Sequence, residues 1–201
     1  MKVGIFQLPF CNIGSIEAYC KSRNLIFQII SKNSDLCGFD ALILPGVGVF
    51  ENAMSYLKEN EFDNQINEIF SNSGNPPSLI GICLGMQLLF DSSEESPGVQ
   101  GLSLIDGKCI KFPVSSNHVI PHLGWNQIYY PGKHEVLLPD MYFVHSFYCV
   151  PSCSEDVLFQ SDYILPFAAA VRRKKLFGFQ FHPEKSGNAG YNLLDIALGL
   201  C

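Results

Sequence analysis

Ser78-Leu79-Ile80-Gly81-Ile82-Cys83-Leu84-Gly85-Met86-Gln87-Leu88-Leu89-Phe90 is the stretch on which the reading of this chain turns. Residues 78–82 are apolar and β-branched enough for a buried strand, and residues 86–90 read as the start of a helix. Cys83 falls at the corner between them. Gly81 and Gly85, two residues to either side, remove the Cβ atoms that would obstruct a tight strand-to-helix turn. The pattern is the thiol counterpart of the Gly-x-Ser-x-Gly nucleophile elbow. A cysteine in the first turn of a helix faces unpaired N–H groups and the positive end of the dipole, which favour thiolate. The N–H of Leu84 is placed to donate to an oxyanion on a carbonyl under attack. A free cysteine elsewhere in a chain is usually a small buried hydrophobe, so the nucleophile reading requires a base.

Upstream of the elbow, residues 3–7, 25–30 and 40–44 read as strands, and residues 13–21, 52–58 and 62–70 as helices, with Ser15 near the start of the first helix. This alternation predicts a parallel sheet covered on both faces, with ligands at the carboxyl ends of its strands. The loop Pro45-Gly46-Val47-Gly48 follows the third strand at that edge. Its glycines allow a backbone N–H, that of Val47, to be turned toward a ligand as a second oxyanion donor.

Downstream, residues 91–101 read as a polar loop. Short runs at 108–112, 126–130, 141–150, 168–172 and 176–182 then suggest antiparallel strands. The expected architecture is one α/β domain over residues 1–201, with a parallel core sheet, helices on both faces and an antiparallel extension. The basic run Arg172-Arg173-Lys174-Lys175 reads as a solvated hairpin turn.

The base comes from the last of these runs. Phe177, Phe179 and Phe181 alternate with Gly178, Gln180 and His182, which puts the aromatic rings on one face and leaves His182 at a strand end before Pro183. Glu184 follows two residues later, close enough to hold the imidazole by its second nitrogen. Cys83, His182 and Glu184 are thus nucleophile, base and orienting acid. His118, His122, His134 and His145 carry no such pattern.

Composition narrows the functional classes. The chain has 201 residues, 47% hydrophobic and 16% charged, enough for a sizeable core and too little charge for disorder. Net charge is -6 with no basic face, so nucleic acid is not an expected partner. No apolar run is long enough to span a membrane. Residues 1–6 open directly on a strand without a leader-like pattern, so the eight cysteines are expected to be reduced thiols in a cytoplasmic protein. Cys149 and Cys153 lack a second pair at zinc-like spacing. Neither a metal nor a cofactor is expected.

These residues resemble the triad-type (class I) glutamine amidotransferases, and within them the glutaminase subunits of imidazole glycerol phosphate synthase. The likeness rests on five blocks in the family's order: Leu44 to Gly48, Gly81 to Phe90, Pro121 to Asn126, Tyr142 to Phe147 and His182 to Gly187. It implies a glutaminase in which Cys83 attacks the side-chain amide of L-glutamine, His182 protonates the departing ammonia and Glu184 orients His182. It further implies that Val47 and Leu84 form the oxyanion hole, and that Gly48, Gln87, Ser146 and Phe147 hold the substrate. Asn12, Trp125 and Lys185 match positions at or near the contact with a (β/α)-barrel cyclase subunit that receives the ammonia, giving a heterodimer in histidine biosynthesis. The segment Gln7-Leu8-Pro9-Phe10-Cys11-Asn12-Ile13-Gly14 departs from the family pattern, which bears on the partner and the acceptor more than on the glutaminase chemistry. Alternative readings are a paralogue feeding a barrel-type partner in amidino-sugar synthesis for surface polysaccharide, a stand-alone γ-glutamyl thiol hydrolase, and a non-catalytic interaction protein.

Overall fold

The computed structural model describes residues 1–32 and 34–200, with the backbone alone at 134–137. The first half alternates strands and helices as the apolar periodicity dictates: β1 (Lys2–Phe6), α1 (Gly14–Ser22), β2 (Ile26–Ile30), β3 (Ala41–Gly46), α2 (Phe50–Glu59), α3 (Phe62–Asn72), β4 (Ser78–Cys83) and the single turn α4 (Leu84–Gln87). Then come β5 (Ser92–Ser93), β6 (Gly107–Lys111), β7 (His122–Asn126), β8 (Tyr129–Tyr130), β9 (Lys133–Leu137), β10 (Met141–His145) and β11 (Phe147–Pro151). The chain closes with β12 (Val157–Asp162), β13 (Pro166–Arg173), β14 (Leu176–Phe179) and α5 (Gly187–Leu198).

The described residues form a nine-stranded sheet in the order β2-β1-β3-β4-β14-β13-β12-β8-β9. It is parallel from β2 to β14 and antiparallel beyond. Two small sheets, β10-β7 and β11-β6-β5, complete the extension.

Alternation along the strands divides the core between two faces. Leu42, Leu44 and Leu79 point toward α2 and α3, which contribute Phe50, Leu57, Phe62 and Ile66. Val3, Ile5, Ile43, Ile80 and Ile82 point the other way, toward Ile16 and Tyr19 of α1 and Leu194 and Leu198 of α5. Strands covered on both faces must be apolar, as β3 is throughout and β4 is after the half-buried Ser78 that opens it.

Four expectations are corrected. The helix after Cys83 stops at Gln87, because the carbonyls of Leu88, Leu89 and Phe90 are taken by the N–H groups of Leu102, Leu104, Ile105 and Ser103 from the following loop. The run 141–150 is two strands in different sheets, broken at Ser146. The run 126–130 is not one strand: β7 ends at Asn126, whose side chain takes the next N–H, that of Gln127, and only Tyr129–Tyr130 returns to a sheet, as β8. The basic turn is only partly solvated, since Arg173 binds Asp156 and Asp106 and Lys175 Nζ donates to Asn75 Oδ1 and the Pro76 carbonyl.

Candidate active site

Cys83 ends β4 at φ +54°, ψ −109°, a conformation that non-glycine residues rarely adopt. The chain is held there by close backbone packing: a Cβ on Gly85 would collide with the Leu44 carbonyl, and one on Gly81 with the carbonyl of Gly85. The corner turns the thiol out of the sheet, where Sγ lies 3.6 Å from the Val144 carbonyl. Gly46, last residue of β3, pairs directly with Cys83. Val47 and Gly48 therefore emerge beside the sulfur, and Gly48 has φ +99°.

β14 stops at Phe179, three residues short of His182, a further difference from the expected strand end. The three phenylalanines nevertheless share one face, in the core under α5. The His182 N–H donates to the Tyr142 carbonyl at 2.9 Å. A 3-10 turn at Pro183–Lys185 then brings Glu184 back to the imidazole. Nδ1 of His182 lies 2.8 Å from Glu184 Oε1, with both side chains buried. Ser186 clamps the turn, donating Oγ–H to the His182 carbonyl at 2.6 Å and accepting the Tyr142 N–H at 3.0 Å.

Nε2 of His182 is buried and makes no hydrogen bond of good geometry, yet it feels the Cys83 sulfur strongly. Burial alone would lower the His182 pKa. Interaction with Cys83 and Glu184 overcomes it and carries the value up to about 10. A protonated imidazole is thereby held against the sulfur, ready to give its proton to a leaving amine.

Cys83 opens into a cavity of about 290 Å³, whose lining includes Val47, Gly48, Gln87, Ser146 and Phe147. The structure thus brings the expected substrate residues to the nucleophile. Gln87 Nε2 donates to the Phe147 carbonyl at 3.2 Å and to Gln180 Oε1 at 3.3 Å. A larger cavity, about 470 Å³, lies against Arg173 and Lys175. Arg173 and Lys175 are already engaged there as described above, and neither Cys83 nor a histidine lines it.

Asn12, Trp125 and Lys185 are exposed, Trp125 at 58%. Trp125 borders the site, since Tyr142 lies between it, 5.8 Å away by ring centroid, and His182 at 6.5 Å, and Lys185 shares the 3-10 turn of Glu184. Asn12 Oδ1 accepts the Gly14 N–H at 2.9 Å, so the entry to α1 is set by Asn12 rather than by Ser15. In the divergent segment the Phe10 ring packs against Gly48, within 3.4 Å of where a Cβ would stand.

The structure adds residues that the sequence did not reveal. Glu95 lines the cavity while its Oε2 accepts the Phe50 N–H, at the start of α2, at 2.8 Å. It sits in a loop with no periodicity to flag it. His145 also lines the cavity, and His122 stands behind it. Among the described residues no cluster fit to hold a metal is found, and no helix is long and apolar enough to cross a membrane. The described cysteines are free thiols.

The parallel sheet and the elbow at its carboxyl edge define a protein class, and residues 14–195 match the family model for class-I glutamine amidotransferases. A crystal structure of a glutamine amidotransferase superposes with TM-score 0.76 at 18% identity, covering 98% of each chain. The structure of PurLQS from Thermotoga maritima gives 0.72 at 16%, over 99% of this chain and 98% of that one. Narrower likeness comes from imidazole glycerol phosphate synthase subunit HisH of Helicobacter hepaticus, 40% identical over 96% of both chains, and of Geobacillus thermodenitrificans, 37% over 98% of this chain and 95% of that one. The chain belongs to the class-I glutamine amidotransferase family, within its HisH branch.

Proposed function

We propose that this chain is the glutaminase subunit of an imidazole glycerol phosphate synthase, working in the cytoplasm in histidine biosynthesis. The observation that carries the reading is the buried His182, fixed by Glu184 on one nitrogen and coupled to the strained Cys83 on the other. Cys83 thiolate attacks the side-chain carboxamide carbon of L-glutamine, and the Val47 and Leu84 N–H groups receive the oxyanion. Collapse of that intermediate breaks the C–N bond, with the proton from His182 leaving on ammonia. Water, deprotonated by His182, then cleaves the thioester to glutamate and regenerates the thiol. Gly48, Gln87, Ser146 and Phe147 hold the substrate, and the Glu95 carboxylate suits its ammonium group.

Ammonia passes to a (β/α)-barrel cyclase subunit seated over Asn12, Trp125 and Lys185. The HisH relatives, alike along nearly their whole length, favour this acceptor over amidino-sugar synthesis. The test is glutamate and ammonia release by the chain together with its cyclase subunit. Cys83→Ser should abolish turnover while leaving the complex intact, and Trp125→Ala should weaken the complex while leaving Cys83 open to alkylation. Hydrolysis of γ-glutamyl peptides but not of glutamine would remove the reading.

A further inference from the structure

A chain of hydrogen bonds, buried where its two histidines meet, runs from β7 to the Gln87 side of the cavity, and its polarity is decided by its ends. Asn126 Nδ2 lies 2.8 Å from the Asp162 carbonyl and 3.3 Å from His122 Nε2. A carbonyl can only accept, so the atom facing it is the amide nitrogen. Asn126 Oδ1 is occupied separately, accepting the Gln127 N–H at 2.8 Å. His122 Nε2 therefore accepts and carries no hydrogen, which places the hydrogen of the neutral ring on Nδ1. That atom is 3.0 Å from His145 Nε2, which must accept in its turn. The His145 hydrogen is then on Nδ1, 2.9 Å from the Phe147 carbonyl. This second carbonyl, again an acceptor only, demands the same direction independently.

Protonation of either ring would set N–H against N–H. Burial opposes it as well, pushing His122 down to about 4 and His145 to about 3. His122 is held flat between Phe143, at 4.8 Å, and Tyr163, at 4.1 Å. The Tyr163 hydroxyl donates to the Val119 carbonyl, and the titratable groups acting on His145 are His122 and, farther off, His182. The Phe147 carbonyl takes its second hydrogen from Gln87, whose other amide hydrogen goes to Gln180. Gln180 Nε2 in turn faces the Cys83 sulfur at 4.0 Å.

We propose that His122 and His145 are positioning residues for glutamine hydrolysis: a one-way relay, Asn126 to His122 to His145 to the Phe147 carbonyl, fixes that carbonyl and through it the Gln87 amide. The inference rests on the glutaminase reading. With both Gln87 hydrogens committed, its oxygen is the group left to a ligand.

The relay is tested in two arms. In ¹⁵N-histidine spectra of the full chain, His122 and His145, assigned by substitution, should both show the neutral Nδ1–H tautomer and no titration between pH 8 and 5.5. An Nε2–H tautomer, or titration near the ordinary histidine value, overturns the relay. In the second arm the chain with its cyclase subunit is assayed with glutamine. His145→Phe keeps a ring but removes the donor, and KM should rise about tenfold with kcat changed far less. His145→Asn returns an N–H at the Nδ1 place and should recover most of that loss. A purely structural role would make the smaller Asn no better than Phe, and that result, or a loss confined to kcat, overturns the proposal. Should His145→Phe not fold, Asn against wild type and the spectra still decide. A wild-type complex that releases no glutamate sinks the glutaminase reading, while the tautomers still report on the relay itself.

Discussion

A thiol at positive φ is a local conflict that the fold keeps in place. For an L-residue that conformation costs on the order of 1–2 kcal/mol, and glycine avoids the cost. At most buried strand positions Ala would outlast Gly; at position 83 the order should invert. Urea unfolding of Cys83→Gly and Cys83→Ala, both inactive, should show Cys83→Gly the more stable by about 1 kcal/mol. Equal stability would mean that the strain is relieved elsewhere. The neighbouring glycines answer a different demand. Gly85→Ala puts a methyl group into the Leu44 carbonyl and should cost roughly 3 kcal/mol or prevent folding, whereas Gly98→Ala, with open space around it and only its positive φ to strain, should cost about 1.

At the scale of elements, the acid and base depend on a turn that would drift without an anchor. The 3-10 turn carrying Glu184 runs into α5, and α5 is tied to α1 by Asp195, whose carboxylate accepts the Tyr19 hydroxyl at 2.8 Å and two nitrogens of Arg23 at 2.9 Å. Burial would raise the Asp195 pKa, but these partners hold it below the ordinary carboxylate value. Asp195→Ala strands a buried phenol and should cost about 2 kcal/mol, lowering Tm by roughly 4–8 °C. An unshifted melt would show that packing alone holds α5.

What was legible at this scale was whatever is encoded locally. The strand-corner-glycine pattern of β4 and the His-Pro-Glu turn state their geometry within ten residues. The break at Ser146 was not legible, because residues 141–150 are apolar almost throughout and only the partners of β10 and β11 decide where one sheet ends and the other begins. Neither Glu95 nor the role of His145 could be read, since each is defined by groups distant in sequence, the Phe50 N–H for one and His122 for the other.

For the molecule as a whole, three buried histidines give stability a dependence on pH with opposite signs on the two sides of neutrality. His122 and His145 have folded pKa values of about 4 and about 3, below the ordinary 6.5. Between those values and 6.5 the unfolded chain binds protons that the folded chain refuses, so stability falls as the medium is acidified. From pH 7 to pH 5 the two together should remove about 3–4 kcal/mol. His182, at about 10, is the reverse case. Its contribution is complete below 6.5 and is lost as pH rises toward 10, because the unfolded chain releases the proton first. The two trends meet near neutrality, and Tm measured from pH 5 to pH 10 should pass through a maximum between about 6.5 and 7.5. Removing one relay histidine by His145→Asn should flatten the acid limb while leaving the alkaline limb in place, because the two limbs belong to different residues. If both limbs changed together, the histidines would be titrating as one coupled cluster, and the independence of relay and triad would have to be given up.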